Sequence, residues 1–191
     1  MPRTREQFSE MKDERRAAIL NAALPLFSLG QKVTIDMIAD KAKCSHGIVY
    51  HYYTNTNQIL EKLLKSSTYV ELKQKLLAPE GSSYEKIESI ISLLLDVSKE
   101  KIENVCYLNM IIKENDKTSL RFLFTKLIKE GQTAGTIIGG DPAQLVDSIF
   151  LLLKGIYLTF LLEKHPDIKV PSCETVMQLL RKPTNFGHQI L

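Results

Sequence analysis

Apolar residues recur every three or four positions along most of the chain, which is the spacing of one face of an α-helix. The first stripe predicts a helix over residues 9–29, with apolar positions at Ile19, Ala22, Ala23, Leu26 and Phe27. Gly30 is expected to end this helix, because glycine readily adopts the left-handed conformation that closes helices. Pro25 lies inside the stripe, where its missing N–H and its ring predict a bend or a local break.

Two short helices are predicted next. Thr34 can cap a helix whose apolar positions are Ile35, Ile38, Ala39 and Ala42. Lys43 and Cys44 interrupt the pattern, and Ser45 can cap a second helix that runs to His51. Two short helices joined by a tight turn predict a helix-turn-helix motif, whose second helix lies in the major groove of DNA.

Helical spacing continues to the C-terminal region and predicts helices over residues 58–77, 84–99, 102–113, 117–133, 142–163 and 172–181. The helix over 58–77 is a natural connector from the helix-turn-helix to the rest of the chain. The helix over 142–163 opens at Asp141-Pro142 and is apolar on nearly every side. A core covers one of its faces, and a partner subunit is the natural cover for the other. The predicted fold class is all-α.

Composition adds a charge asymmetry to this pattern. The 191 residues are 44% hydrophobic and 25% charged, which is an ordinary balance for a soluble globular protein. Residues 1–65 hold ten Lys or Arg and seven Asp or Glu, whereas the remaining residues are neutral overall. The excess positive charge therefore lies with the helix-turn-helix, as DNA binding requires. Arg3 and Arg5 form part of a polar arm, which is a frayed terminus or an arm that contacts DNA.

Cysteine usage and hydropathy favour a cytoplasmic protein. Cys44, Cys106 and Cys173 are far apart and form no CxxC pair, so they are read as reduced thiols. A redox-sensing role for Cys44 is the less favoured interpretation. Residues 2–16 lack the apolar region of a signal peptide. The most apolar run, over residues 149–162, is judged too short, and with Lys154 too polar, to span a bilayer. No membrane partner is expected.

The second short helix carries side chains suited to DNA. Gly47 costs about 1 kcal/mol of helix propensity relative to alanine, which suggests that something approaches the backbone closely there. Ser45, His46, Tyr50 and His51 can donate to phosphate oxygens or base edges.

These residues resemble the TetR family of bacterial transcriptional regulators. The matching positions cover about the first third of the chain and are Thr34, Ile38-Ala39, Ala42, Ser45, Gly47, Tyr50, Tyr52-Tyr53 and Ile59-Leu60. The sequence departs from the family pattern at Lys43, Cys44 and Tyr53. It also departs at Thr56, which stands where a phosphate-binding Lys is usual, so that Asn55, Thr56 or Asn57 offers only a neutral substitute.

The resemblance implies an N-terminal three-helix DNA-binding headpiece over residues 1–57 and a C-terminal helical domain for effector binding and dimerisation over residues 58–191. It implies a homodimeric repressor that a small hydrophobic or amphipathic effector releases from a palindromic operator. In the family, the last two helices of each subunit form a four-helix dimer interface. The residues expected to contact DNA are Thr34, Ser45, His46, Gly47, Ile48, Tyr50, His51 and Thr56.

No constellation of catalytic residues is found, so an enzyme, a cofactor and a metal site are not expected. The four histidines show no HExxH spacing, and the glycines of residues 131–140 are not followed by Gly-Lys-Ser/Thr.

Polar groups within apolar stretches of the C-terminal half are either satisfied core or interface groups, or the lining of an effector cavity. The candidates for a cavity are Cys106, Tyr107, Asn109, Met110, Phe124, Tyr157 and Phe160. Two alternatives to an effector-controlled repressor stay open: an effector-independent DNA-binding protein of the same fold, and a helical adaptor or enzyme that has lost DNA binding.

Overall fold

Helices make up the regular secondary structure of residues 5–97, 101–163 and 169–182, which are the residues that the computed structural model describes. Within these ranges ten α-helices follow one another: α1 Arg5–Leu29, α2 Ile35–Lys41, α3 His46–Tyr52, α4 Thr56–Leu64, α5 Ser67–Leu77, α6 Ser83–Val97, α7 Ile102–Ile111, α8 Leu120–Thr133, α9 Pro142–Leu162 and α10 Cys173–Met177. A 3-10 turn over Gln178–Leu180 follows α10. The predicted all-α fold is confirmed. Arg3 and the residues from 183 onwards lie outside the described residues.

Helix α1 joins the helix-turn-helix to the rest of the molecule. Its buried positions, among them Ile19 and Ala23, pack against α2 and α4, and its length also brings it against α7 and α9. The helix continues through Pro25, so the expected local break is absent. Leu24 and Leu26 are buried on either side of the proline and hold both flanks against the core. Gly30 ends the helix as predicted, with a φ of +74° and its N–H donating to the Phe27 carbonyl at 3.0 Å.

The connector predicted as one helix over residues 58–77 is two helices, so that prediction is wrong. Asn55 caps α4 by accepting from the Gln58 N–H at 2.9 Å. Ser66 caps α5 by accepting from the Tyr69 N–H at 3.3 Å. A serine hydroxyl that satisfies a free amide favours a new helix start over continuation. The predicted domain boundary after residue 57 falls in the first turn of α4, and the division into two domains stays a prediction.

Helix α7 forms the centre of the core. Its residues from Val105 to Ile111 are all buried, and it packs against α1, α5, α6 and α9. The buried side chains form one continuous cluster from Ile19 in α1 to Leu180 after α10. Helix α7 therefore contacts helices from both the N-terminal and the C-terminal parts of the chain.

Helix α9 is buried along one face and exposed along the other. Val146, Ile149, Leu153 and Ile156 lie on the buried face, whereas the exposed positions include Leu151, Leu158 and Leu162. Helix α8, which packs against α9, carries an exposed Phe122. The short α10 packs against α6. Exposed apolar side chains therefore lie on α8 and on α9, which is one of the last two helices that the resemblance implies for the dimer interface. The interface itself stays a prediction.

The length argument against a membrane span is also corrected. Among the described residues, α9 is the one helix long and apolar enough to cross a membrane, since it has 21 residues. A core helix of a soluble protein passes the same test, and the buried face of α9 packs against α7 and α8.

Candidate nucleic-acid interface

A tight hydrogen-bonded turn joins α2 to α3. The Cys44 N–H donates to the Ala39 carbonyl at 3.0 Å, and the Lys43 N–H donates to the Asp40 carbonyl at 3.2 Å. This pair of bonds is the Schellman motif, which needs a left-handed residue directly after the helix cap. Lys43 occupies that position with a φ of +51°. The turn thus fixes the angle between the two helices with a residue type that rarely adopts this conformation.

Helix α3 presents a polar face and is anchored by one apolar side chain. Val49 is fully buried and packs into the headpiece core. The exposed positions are Ser45, His46, Gly47, Tyr50 and His51, and Ile48 is half-buried. The structure therefore brings the predicted α3 residues together on one accessible surface.

Two capping residues keep a donor available on this surface. Thr34 Oγ1 accepts from the Met37 N–H at 3.2 Å, and Ser45 Oγ accepts from the Ile48 N–H at 3.4 Å. Each hydroxyl uses a lone pair for the cap, so its proton can still be donated to a phosphate oxygen.

Helix α4 begins at Thr56, shortly after α3 ends at Tyr52. The Thr54 backbone N–H and hydroxyl both donate to Gln58 Oε1, at 2.8 and 3.0 Å. The Asn55 side-chain oxygen is used in capping α4. Thr56, the first residue of α4, is half-buried. Of the three neutral substitutes for a phosphate-binding lysine, Asn55 thus has its acceptor oxygen already committed.

Asp36 is a charged neighbour of α3 that the sequence pattern did not single out. Its Oδ1 lies 3.2 Å from Nδ1 of His46, and both side chains are more than half exposed. Because the carboxylate engages Nδ1, the other ring nitrogen of His46 is left for a ligand. A pattern of apolar spacing could not pair these two residues, since both are polar positions on different helices.

The two tyrosines after His51 serve packing. Tyr53 is buried, and burial raises the pKa of its hydroxyl while Arg16 opposes that rise. The Arg16 guanidinium lies 5.7 Å from the ring centroid of Tyr52. His51 meets the same ring edge-on, with the centroids 5.0 Å apart. Tyr52 therefore ties α1 to the end of α3.

Solved structures of similar shape include several bacterial regulators. The MbdR regulator from Azoarcus sp. CIB aligns with a TM-score of 0.59 and 18% identity, over 87% of this chain and 97% of that one. A TetR-family regulatory protein from Rhodococcus RHA1 aligns with a TM-score of 0.57 and 17% identity, over 86% and 94%. NalD, the secondary repressor of the MexAB-OprM multidrug efflux pump in Pseudomonas aeruginosa, aligns with a TM-score of 0.52 and 18% identity, over 92% and 100%. The chain has the TetR-regulator fold. No family model and no curated protein matches the sequence.

Within this TetR fold, the residues predicted to line an effector cavity lie in the core. Six of them are buried and Phe160 is half-buried: Cys106, Tyr107, Asn109, Met110, Phe124 and Tyr157. The Tyr157 hydroxyl donates to the Leu94 carbonyl at 3.0 Å, and Phe124 packs edge-on against Phe150. Cys106 lines a cavity of about 230 Å³ between α1 and the start of α7. Burial raises the pKa of the Cys106 thiol to about 11, so it is an unreactive thiol at neutral pH.

The predicted effector cavity stays a prediction: Tyr157 and Phe124 make packing contacts, whereas Cys106 lines a cavity. Among residues 5–97, 101–163 and 169–182, no group of three or more His, Cys, Asp or Glu side chains could hold a metal ion.

Proposed function

We propose that this protein is a homodimeric, sequence-specific DNA-binding repressor, which a small hydrophobic or amphipathic effector releases from a palindromic operator. The observation that carries the proposal is the polar, exposed face of α3, with Gly47 open to solvent and Val49 anchoring the helix from behind. NalD, which has the same fold, is a repressor by its description. Such a protein acts in the cytoplasm, and the function requires no catalytic step.

On the operator, each predicted contact residue has a role that follows from its chemistry. Thr34 and Tyr50 donate to phosphates, with Ser45 and His46 at the groove entrance. Ile48 and His51 face base edges, and Ile48 suits a thymine methyl group. Gly47 allows the sugar-phosphate backbone to approach, and Thr56 supplies a neutral contact at the flank.

A homodimer presents two copies of α3 to one side of the duplex. Their two-fold symmetry matches two half-sites separated by about one helical turn, roughly 34–36 Å, or a multiple of it. The exposed apolar residues of α8 and α9 supply the surface for the partner subunit.

Release by an effector is a shift between two arrangements of the headpieces. An effector that reverses occupancy from 99:1 to 1:99 must prefer the released arrangement by about 10⁴-fold, or 5.5 kcal/mol. The displacement passes through α4, which packs against α1 in the headpiece and against α5 on the other side.

The test is a selection of bound sequences from random duplex DNA, followed by variants measured on the selected site. Tyr50→Phe and Tyr50→Ala should weaken binding to all sequences alike. Ile48→Ala or His51→Ala should change the preference at one base position by about 1–3 kcal/mol. Equal, sequence-independent losses in all variants would show that the roles are misassigned, and failure to select any sequence would overturn the function.

An effector-independent DNA-binding protein of the same fold is the second candidate. The observation that favours it is the close packing of the predicted cavity residues, such as Phe124 and Tyr157. Repeating the selection with cell extract separates the two, because only an effector-controlled repressor loses its operator when the right small molecule is present.

A further inference from the structure

An apolar groove of about 550 Å³ runs along α5 from the end of α4. Leu64, Val70 and Leu77 form its apolar wall, and Leu64 and Val70 keep 36% and 38% of their surface exposed. Tyr69, Lys73 and Gln74 supply its polar groups. A volume of this size lies within the range of small-molecule sites, which are mostly apolar with a few polar groups that orient the ligand.

The polar end of the groove is neutral overall. Nζ of Lys73 lies 2.6 Å from one carboxylate oxygen of Glu114, and the Tyr69 hydroxyl donates to the other oxygen. Both charged side chains are about three-quarters buried. Burial, and then the Glu114 carboxylate, raise the pKa of the Tyr69 hydroxyl, so it remains a neutral donor. The cation of Lys73 is therefore already balanced from within the protein.

We propose that this groove binds a neutral amphipathic molecule with an apolar body and one hydrogen-bond acceptor. An anionic ligand would compete with Glu114 for Lys73 and would be repelled by that carboxylate. A cationic ligand would be repelled by the ammonium of Lys73. A neutral hydroxyl or carbonyl oxygen is repelled by neither charged group. The lysine ammonium has three N–H donors, and one of those not directed at Glu114 can serve the ligand.

The groove is also placed to influence the DNA-binding end, and this part of the inference rests on the proposed function. Leu64 is the last residue of α4, whose first turn follows the helix-turn-helix. Glu114 follows Lys113, whose ammonium donates to the Ser28 carbonyl at the end of α1. A ligand in the groove therefore touches both α4 and the junction that holds α1, α5 and α7 together.

The first experiment titrates the full-length protein with 1-octanol, octanoate and octylamine by calorimetry at neutral pH. The three probes share one chain and differ in head-group charge. We expect octanol to bind at least about tenfold more tightly than either ion. Octanoate or octylamine binding as tightly as octanol would overturn the neutral ligand class.

Three variants locate the site. Val70→Trp fills the groove and should abolish octanol binding, whereas Lys75→Trp, at an exposed position of α5 outside the groove, should retain it. Lys73→Met leaves Glu114 unbalanced, so octylamine should gain about tenfold or more while octanol weakens. This reversal of charge preference is not expected from a loss of structure. Equal octanol binding by Val70→Trp and Lys75→Trp would overturn the site.

Two further readouts separate this inference from the proposed function. Octanol should lower the affinity of the wild-type protein for its selected operator, and unchanged operator affinity despite binding would overturn the effector role. If no operator can be selected, the proposed function fails, yet calorimetry still decides whether the groove binds its ligand. A smaller subunit number in Val70→Trp than in Lys75→Trp, measured by sedimentation, would show that a second copy covers the groove and would overturn the inference.

Discussion

Gly47 has no internal reason to be glycine. It lies within α3, and a Cβ built there would meet only Ser45 Oγ, at 3.9 Å, which is ordinary contact. The backbone adopts the helical conformation that any residue can take, and the protein itself does not crowd the position. The packing of the protein therefore does not account for glycine at this position, and the close approach of a DNA backbone proposed above would account for it.

Gly47→Ala should therefore stabilise the protein and weaken its binding to DNA. The expected gain in the free energy of unfolding is about 0.5–1 kcal/mol, because alanine loses less backbone entropy in a helix. Urea unfolding measures the gain, and titration of the selected operator measures the loss of affinity. Unchanged affinity would contradict the close approach at Gly47.

Lys43→Gly tests whether Lys43, a non-glycine residue with a left-handed φ, serves only the turn or also contacts DNA. Lys43 holds a left-handed φ in the turn, so glycine should raise the free energy of unfolding by about 1 kcal/mol. The same change removes one cation beside α3, and the slope of log affinity against log salt should fall by about 1 if Lys43 contacts a phosphate. A steady slope with raised stability would mean that Lys43 serves only the turn.

The C-terminal end of α7 and the residues that follow it are hydrogen-bonded to both α1 and α5. The Asn109 amide donates to the Ser28 carbonyl at 3.0 Å, and the Lys113 ammonium donates to the same oxygen. Glu114, the next residue, bonds Tyr69 and Lys73 of α5. Consecutive residues thus hold α1 on one side and α5 on the other, so this junction links the headpiece to the helices that follow.

Lys113→Met should loosen α1 from α7. The bond to the Ser28 carbonyl is charge-assisted and lies at the negative end of α1, yet the lysine is exposed, so a loss of about 1 kcal/mol in the free energy of unfolding is expected. Hydrogen exchange should also quicken for amides at the end of α1. Lys117→Met, the same substitution at an exposed position beyond the junction, should leave both measurements unchanged. Equal effects in the two variants would contradict the coupling.

The helix boundaries were predicted correctly in some places and missed in one. The starts of α2, α3 and α9 were predicted correctly, because Thr34, Ser45 and Asp141 cap their own helices within three residues. The break between α4 and α5 was missed, since apolar residues on both sides of Ser66 keep one helical spacing. The cap at Ser66 was available as a signal, but a serine inside a long stripe is equally compatible with a continuous helix.

For the whole molecule, the exposed apolar side chains of α8 and α9 are the feature that a lone subunit does not explain. Leu151 is 68% exposed, Leu162 is 69% exposed and Phe122 is 51% exposed. In a two-fold symmetric dimer that uses this surface, both copies of each of these side chains would be buried.

Leu151→Asp should convert the proposed dimer to a monomer. The change removes about 2 kcal/mol of apolar burial per subunit and places a carboxylate in the interface, where burial opposes its charge. Ile102→Asp is the matched control, since Ile102 is 55% exposed at the start of α7 and lies outside α8, α9 and the last helices. Sedimentation should give a monomer for the first variant and a dimer for the second, and only the first should lose operator affinity. A dimeric Leu151→Asp protein would place the interface elsewhere.

What the sequence determined by itself is the order of helices and the polar face of α3, because periodicity and capping act within a few residues. The contacts between distant residues were decided only by the tertiary structure. Asn109 meets Ser28, Glu114 meets Tyr69, and Asp36 meets His46 across separate helices. The same holds for Tyr157, which the pattern offered as a cavity residue and the structure bonds to Leu94. A stripe of apolar positions shows that a helix is buried, but which side chain it meets depends on how helices far apart in the chain pack together.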